Sequence, residues 1–378
     1  MRKFMSSILA IGIAVLAFVY QPVVSAAKAV VSVVKKIAVS VGTTINDALL
    51  AGLARMGGVM YMGAATGRDL HIDQVLSQMA IGYRPSGFIA DMIFPTVPVA
   101  KQTDKYLVFD RGDRMRIEST VRAPGTMARR VSESVGSATY YANNYALAAA
   151  AILEDKVNAD PAFVAGVING KATFLLDKLL LDWENRVALM CTSGSNVGSS
   201  AAVSSGWSGS GADPLANINT AIDNVSDSNG VRPNRVVMGL QAWRSFRRNS
   251  TVRNLIFGTN NGGGYPTVQQ VAQLLDVEEV LVGGAYQNTA QEGQSETLAT
   301  IWNDNVLVYY APQTPAIDRP SFGYNFRWSA PGLPNMQVER HPFDSKTKSE
   351  DIEVGYYQDE KITGASYAFL LKAVNSST

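Results

Sequence analysis

A long polar stretch between residues 105 and 153 constrains the fold of this chain more than any other feature of its sequence. Residues 106–110 form a strand-like apolar run, and residues 113–121 alternate in part between apolar and charged side chains, as a β-strand does. Pro124-Gly125 indicates a turn, and residues 129–147 return as a second polar stretch. A two-stranded polar hairpin cannot bury enough surface to be stable alone. We therefore expect contacts outside its own domain to stabilise it.

The predicted hairpin is rich in arginine, and acidic residues are interleaved with the arginines. The charged residues are Arg111, Arg114, Arg116, Arg122, Arg129 and Arg130, with Asp110, Asp113, Glu118 and Glu133. Mixed charge favours pairing with another protein surface over binding to a phosphate backbone. The whole chain, with a formal net charge of +1, also lacks the basic excess of a dedicated nucleic-acid binder. We predict that arginines of the hairpin pair with carboxylates of a neighbouring subunit. The residues of this predicted intersubunit contact are Arg111, Arg114, Arg116, Arg129 and Arg130.

The strongest helical pattern runs from about residue 160 to residue 190. Asp160 is a suitable N-cap, and Pro161 occupies the first helical position, where its missing N–H is tolerated. A helix of roughly 30 residues spans ~45 Å at 1.5 Å per residue. Its broad apolar face consists of Leu175, Leu176, Leu179, Leu180 and Trp183. Cys191 lies at the end of this pattern, so we expect a small buried hydrophobic residue there rather than a reactive thiol.

The remaining segments predict an arm followed by short helices and strands. Residues 88–99 contain Pro95 and Pro98, which exclude a central strand or a helix and favour an extended segment lying along another surface. The Gly/Ser tract at residues 193–213 predicts a flexible loop. Helices are predicted at residues 73–82, 214–225, 241–248 and 267–275, and strands at residues 235–239, 279–283, 298–310, 350–357 and 366–374. The predicted fold class is α+β, with one long helix and mixed sheets.

The residue types on which most catalytic and metal sites depend are scarce in this chain. Two histidines, His71 and His341, and a single cysteine leave little material for a metal site or a catalytic triad. Gly262-Gly263-Gly264 lacks the Lys-Ser/Thr that follows the glycines of a phosphate-binding loop. We predict no catalytic residues, no cofactor and no metal ligands, and a hydrolase is disfavoured because its catalytic constellation is missing.

The first 66 residues allow three interpretations. A basic start, an apolar run over residues 4–20 and the small residues of Val24-Ser25-Ala26 form the pattern of a secretory signal peptide. The segment is equally compatible with a helical extension of the mature protein. It is also compatible with a start codon assigned too far upstream, with Met56, Met60 or Met62 as the true first residue.

The order of these parts carries a resemblance to a known family. An extended arm precedes a long polar hairpin, a long helix and a mixed α+β body that ends on strands. Three short runs add to it: residues 89–99 (IADMIFPTVPV), residues 234–239 (NRVVMG) followed by Trp243, and residues 353–357 (EVGYY). Over about residues 67–374 the chain resembles the major capsid protein of tailed bacteriophages, which has the Hong Kong 97-type fold.

The resemblance implies a division of the chain into the parts of that fold. The implied parts are an apolar N-terminal extension (1–66), an N-terminal arm (67–99), an E-loop hairpin (100–150), a peripheral domain (151–211 and 321–378) with a spine helix (160–192), and a mainly axial domain (212–320). It also implies a structural protein without enzymatic activity. Such a protein self-assembles through pentamers and hexamers into an icosahedral virion capsid in the host cytoplasm. The shell encloses double-stranded DNA without sequence-specific binding, and scaffold, portal and decoration proteins are possible partners.

Two alternatives to a phage shell remain at this point. The signal-like N-terminus favours an exported or surface-layer structural or binding protein. An encapsulin-like compartment subunit would share the fold without belonging to a phage.

Overall fold

The computed structural model describes residues 71–72, 76–77, 80, 83, 85–109, 111–158, 164–203, 206–209, 211–258, 264–315, 319–329 and 336–375. All of them belong to one unit, Asp69–Thr378. The segment 1–66, with its three interpretations, lies outside the described residues, as do Asp160 and Pro161 at the predicted start of the long helix and most of the predicted helix 73–82.

Helices and strands are mixed along the described part of the chain, which confirms the predicted α+β class. The α-helices are α1 (Ala90–Ile93), α2 (Arg111–Met115), α3 (Leu153–Asn158), α4 (Val164–Thr192), α5 (Pro214–Asn229), α6 (Leu240–Arg248), α7 (Ser250–Phe257) and α8 (Val268–Leu275). The strands are β1 (His71–Ile72), β2 (Thr96–Val99), β3 (Thr103–Phe109), β4 (Val135–Tyr141), β5 (Asn143–Ile152), β6 (Ser199–Ala202), β7 (Arg235–Gly239), β8 (Glu279–Gly283), β9 (Tyr286–Asn288), β10 (Leu298–Thr300), β11 (Val306–Tyr309), β12 (Gly323–Trp328), β13 (Gln337–Arg340), β14 (Ser349–Ile362) and β15 (Ala368–Lys372).

A six-stranded sheet is built around β14. Strand β5 pairs antiparallel with one edge of β14, and β13 and β12 pair antiparallel with successive parts of the other edge. Strand β1 extends the sheet beyond β13, and β2 pairs parallel with β12 as an edge strand. Pro98 lies within β2 and has no N–H to donate. This edge position agrees with the prediction that Pro95 and Pro98 exclude a central strand.

A five-stranded sheet, in the order β6-β15-β11-β7-β8, separates two hydrophobic cores. In β7, Val237 belongs to the core shared with helix α4, whereas Val236 and Met238 belong to the core shared with α5, α6 and α8. Because both faces of the sheet are covered, its strands are continuous apolar runs rather than alternating ones. The strands predicted at residues 235–239 and 279–283 are both confirmed.

Helix α4 buries its apolar face against the six-stranded sheet. The buried residues of that face are the predicted Leu175, Leu176, Leu179, Leu180 and Trp183. The same core includes Ile352 and Tyr356 of β14. Cys191 is completely buried, and this burial raises the pKa of its thiol, so the prediction of a small buried residue is confirmed. No helix among the described residues, α4 included, is long and apolar enough to cross a membrane.

Several segments differ from the prediction, and three of them are instructive. Residues 113–121 are not a strand, because α2 occupies their start and residues 116–134 contain no helix or strand. The predicted loop at residues 193–213 contains β6, whose Ser and Ala residues pair parallel with β15. Within the predicted extended segment 88–99, residues Ala90–Ile93 form one helical turn, because a buried carboxylate from α4 binds the backbone N–H groups at its start. The last two differences depend on a partner distant in sequence.

Candidate assembly surface

The predicted polar hairpin is present over residues 103–141. Strand β3 pairs antiparallel with β4, with Thr103 opposite Tyr141 and Phe109 opposite Val135, and the pair forms a separate two-stranded sheet. We call residues 111–134, between the two strands, the arginine-rich tip. The chain then continues into β5, which belongs to the six-stranded sheet. The hairpin is therefore joined directly to the body at one end and projects its tip at the other.

The base of the hairpin is fixed to the body by aromatic packing. The rings of Tyr106 and Tyr140 lie 5.2 and 4.7 Å from the ring of Phe326 in β12. The backbone N–H of Tyr141 donates to Asp359 Oδ2 at 2.9 Å. Burial raises the pKa of both phenols, which places Tyr106 and Tyr140 in a partly desolvated environment. The base is thus attached to two strands of the six-stranded sheet.

A groove of about 290 Å³ separates the hairpin from the body. Its walls include Leu107, Val108 and Met115 of the hairpin, and Val231, Pro320 and Tyr367 of the body. Met115, at the end of α2, packs against Gly230, where an added Cβ would lie 2.8 Å from the Met115 Cε. Gly230 has a φ of +67°, which caps helix α5. The start of the tip therefore rests on the end of α5.

Beyond Met115, the tip exposes apolar side chains that the described part of the chain leaves uncovered. Ile117, Val121 and Met127 are 97%, 92% and 90% exposed. Single exposed apolar residues are common, but several on one projecting segment are typical of an interaction surface. The tip therefore has the composition of a surface that another molecule covers.

The structure places the five predicted contact arginines on this tip, but three of them have partners within it. Arg114 pairs with Glu133, Arg116 lies 3.7 Å from Asp113, and Arg129 lies 2.9 Å from Glu118. Hydrogen bonds from Ser134, together with the charge of Arg116, lower the pKa of Asp113. The prediction had assigned these arginines to carboxylates of another subunit, whereas in the single chain they organise the tip itself.

The remaining two predicted arginines differ from those three. Arg130 is exposed and has no ion-pair partner among the described residues, and the side chain of Arg111 lies outside them. The tip as a whole carries six arginines against three carboxylates. It therefore keeps a surplus of positive charge after its internal pairs have formed, so a complementary surface would be acidic.

A buried carboxylate on α4 connects the arm, the long helix and the five-stranded sheet. Glu184 is fully buried and accepts hydrogen bonds from the backbone N–H groups of Ile89 and Ala90 at 3.0 and 2.8 Å. Its other oxygen accepts from Trp302 Nε1 at 2.6 Å. The Trp302 ring in turn packs on Gly283 of β8, where no Cβ would fit. Glu184 is not among the residues predicted from the sequence, although a carboxylate between Leu180 and Val187 on an apolar helix face is a signal for it.

A second polar residue of α4, Arg186, connects the long helix to the six-stranded sheet. It pairs with Asp182 one turn earlier and with Glu360 of β14 at 3.2 Å. Its guanidinium lies 3.7 Å from the ring centre of Tyr145 in β5. Together, Glu184 and Arg186 hold the scaffold from which the hairpin projects.

The chain is similar in sequence to two phage major capsid proteins. No protein-family model matches the chain. It is 28% identical over 263 residues to the major capsid protein of Pseudomonas phage JBD67, covering 68% of this chain and 83% of that protein. It is 24% identical over 315 residues to the major capsid protein of Burkholderia phage BcepMu, covering 80% of this chain and 97% of that one.

Solved structures agree on the fold. A phage-related protein from Bordetella bronchiseptica RB50 superimposes with a TM-score of 0.62 at 22% identity, covering 82% of this chain and 99% of that chain. A chain of the capsid structure of Cyanophage P-SCSP1u superimposes with a TM-score of 0.50 at 13% identity, covering 78% of this chain and 90% of that chain.

Proposed function

We propose that this chain, a homologue of tailed-phage major capsid proteins with their Hong Kong 97-type fold, assembles through pentamers and hexamers into an icosahedral shell. Its function is structural, as a capsid shell protein. The observation that supports a role of the hairpin in assembly is the tip, which projects from a folded body and exposes apolar side chains with a surplus of arginine. A neighbouring subunit would cover these side chains and supply the acidic complement.

The parts of the fold correspond to a proposed division of labour. We assign residues 67–99 to the N-terminal arm, residues 100–150 to the E-loop, and helix α4 to the spine of a peripheral domain formed by residues 151–211 and 321–378. Residues 212–320 form the main part of the axial domain. Strands β6 and β15 belong to the same sheet as β7, β8 and β11, which supports counting them with the axial domain as well.

The proposed shell encloses double-stranded DNA inside a virion, and the protein itself has no enzymatic activity. A formal net charge of +1 agrees with a shell that encloses DNA better than with a protein that binds a specific DNA sequence. Assembly in the host cytoplasm, with scaffold, portal and decoration proteins as partners, is part of the same proposal. The sequence alternatives of an exported layer protein and an encapsulin-like compartment are not favoured by any feature of the described surface.

Charge reversal at Arg130 tests the proposed contact most cleanly. Arg130→Glu leaves the internal ion pairs of the tip intact, so we expect thermal unfolding of the subunit to be unchanged within about 0.5 kcal/mol. The yield of closed shells, measured by sedimentation and electron microscopy, should fall several-fold. One exposed ion pair contributes only about 0–1 kcal/mol, but a closed shell repeats it in every copy.

The matched control is Arg248→Glu, which reverses another exposed arginine, at the end of helix α6 and outside the hairpin. We expect this variant to assemble like the wild type. Normal assembly of Arg130→Glu would exclude an intersubunit role for this residue. Equal impairment of both variants would show that the change in net charge, and not a contact of Arg130, causes the effect. A wild-type protein that stays monomeric under all assembly conditions would contradict the proposed function itself.

A further inference from the structure

The register of two antiparallel strands brings three potential metal ligands together on the six-stranded sheet. Glu339 of β13 lies directly opposite Glu353 of β14. The chain continues the ladder one residue beyond β13, because the His341 N–H donates to the Asp351 carbonyl at 2.9 Å. His341 is two residues after Glu339, so the two side chains lie on the same face of the sheet. The sequence had predicted no metal site, since this proximity depends on the register.

The ligand atoms are close enough to share one ion. His341 Nε2 lies 2.9 Å from Glu353 Oε2, and one ligand atom from each of the three residues lies within 4.8 Å of the others. Around a tetrahedral zinc ion with bonds of about 2.0–2.2 Å, neighbouring ligand atoms are roughly 3.4 Å apart. Small side-chain rotations close the remaining difference. All three residues are partly exposed, so an ion can reach them.

An ion pair between His341 and Glu353 accounts for only part of this arrangement. Like charges directly opposite each other on paired strands are destabilising. The adjacent cation, Arg340, is engaged with Glu350 at 2.7 Å. A single imidazole can neutralise only one of the two facing carboxylates. A cation bound between all three side chains would neutralise both.

We propose that Glu339, His341 and Glu353 form a three-ligand site for a divalent transition-metal ion of the Zn²⁺ type. An imidazole nitrogen among the ligands favours such an ion over Mg²⁺ or Ca²⁺, which prefer oxygen ligands alone. Three protein ligands leave a fourth tetrahedral position for water. The bound ion links β13 to β14 next to the loop that joins them, and so stabilises the pairing of these two strands by mass action.

Zinc binding to the full-length protein tests the site directly. The protein is stripped with EDTA, dialysed against ZnCl₂ or MgCl₂, and its metal content is measured per subunit by mass spectrometry. We expect one zinc per subunit, no retained magnesium, and a higher melting temperature with zinc than with EDTA. The measurement counts ions per subunit whether or not shells form, so its outcome is independent of the proposed function. Absence of stoichiometric zinc in the wild type would overturn the proposal.

Single substitutions separate a metal site from an ion pair. His341→Ala and Glu339→Gln should each weaken zinc binding by at least ~10-fold, since each removes one ligand. In EDTA, Glu339→Gln should melt no lower than the wild type, because it relieves a like-charge contact while keeping the side-chain shape. The control Glu296→Gln changes an exposed glutamate elsewhere and should bind zinc normally. Wild-type zinc affinity in Glu339→Gln would show that the three residues form no metal site.

Discussion

Replacing Glu184 with alanine is expected to lower the free energy of unfolding by about 4 kcal/mol, because a buried donor left without its acceptor costs roughly 1–3 kcal/mol and three donors lose theirs. Those donors are the N–H groups of Ile89 and Ala90 and the indole N–H of Trp302. The change is large against a total stability of about 5–15 kcal/mol for a typical domain. Urea unfolding followed by fluorescence would measure it.

Two further variants sharpen this experiment. Glu184→Gln retains one acceptor for the Ile89 and Ala90 amides but turns an NH₂ group toward Trp302, so we expect an intermediate loss of about 1–3 kcal/mol. Lys178→Ala, at an exposed position of the same helix, should change stability by less than about 0.5 kcal/mol. If the alanine variant were no less stable than Lys178→Ala, the three hydrogen bonds would not anchor the arm.

The same carboxylate gives a pH dependence of known sign. Burial raises the pKa of Glu184 above its ordinary value of 4.5, although the three donors partly offset this. Between 4.5 and the higher pKa, the folded state binds more protons than the unfolded state. The contribution of Glu184 to stability is therefore greatest below pH 4.5, falls as the pH rises through the folded pKa, and is constant above it. The difference in unfolding free energy between the wild type and Glu184→Gln, measured at several pH values, should show this decline, because the contributions of the other carboxylates cancel in the difference.

Replacing Arg186 with methionine is expected to cost about 2–4 kcal/mol, somewhat less than the loss for a fully buried ion pair, because the Arg186 side chain is 22% exposed. Glu360, only 7% exposed, would lose the guanidinium that lies 3.2 Å away, and Tyr145 would lose the cation over its ring. These contacts join helix α4 to two strands of the six-stranded sheet. The loss should appear in chemical denaturation of the subunit as a lower midpoint with an unchanged slope.

The double variant Arg186→Met/Glu360→Gln provides the control. It leaves no uncompensated charge in this position, so it should recover a substantial part of the lost stability. A double-mutant cycle then gives the coupling between the two residues. Equal destabilisation of the single and double variants would mean that lost packing, and not an isolated carboxylate, causes the effect.

The parts of the fold that local patterns determine were predictable from the sequence. The apolar face of α4 follows the helical period, and β7 and β8 are continuous apolar runs because the sheet is covered on both sides. A charged residue on an otherwise apolar helix face is also a signal, and Glu184 could have been identified in this way. The local pattern does not show which distant donors bind the Glu184 carboxylate.

The features that depend on pairing between distant segments were not predictable. The partial alternation of residues 113–121 predicts a strand, but this part of the hairpin has no strand beside it among the described residues. Conversely, the Gly/Ser tract predicts a loop, but β15 lies beside it and pairs with residues 199–202, which therefore form β6. The cluster of Glu339, His341 and Glu353 depends on the register between β13 and β14. A shift of one residue in that register would move the side chains of one strand to the other face and separate the three residues. The internal ion pairs of the tip likewise follow from its folded geometry, and the predicted intersubunit contact of its arginines stays a prediction.

The prolines of the arm also bear on solubility. A protein that builds shells must stay dispersed at the concentration at which it assembles, and an open sheet edge is a template on which further strands can add. Strand β2 forms such an edge, but its row of N–H donors is interrupted at Pro98. An incoming strand therefore finds no continuous partner there. The residue that keeps β2 at the margin of the sheet therefore also makes this edge a poorer template for strand addition.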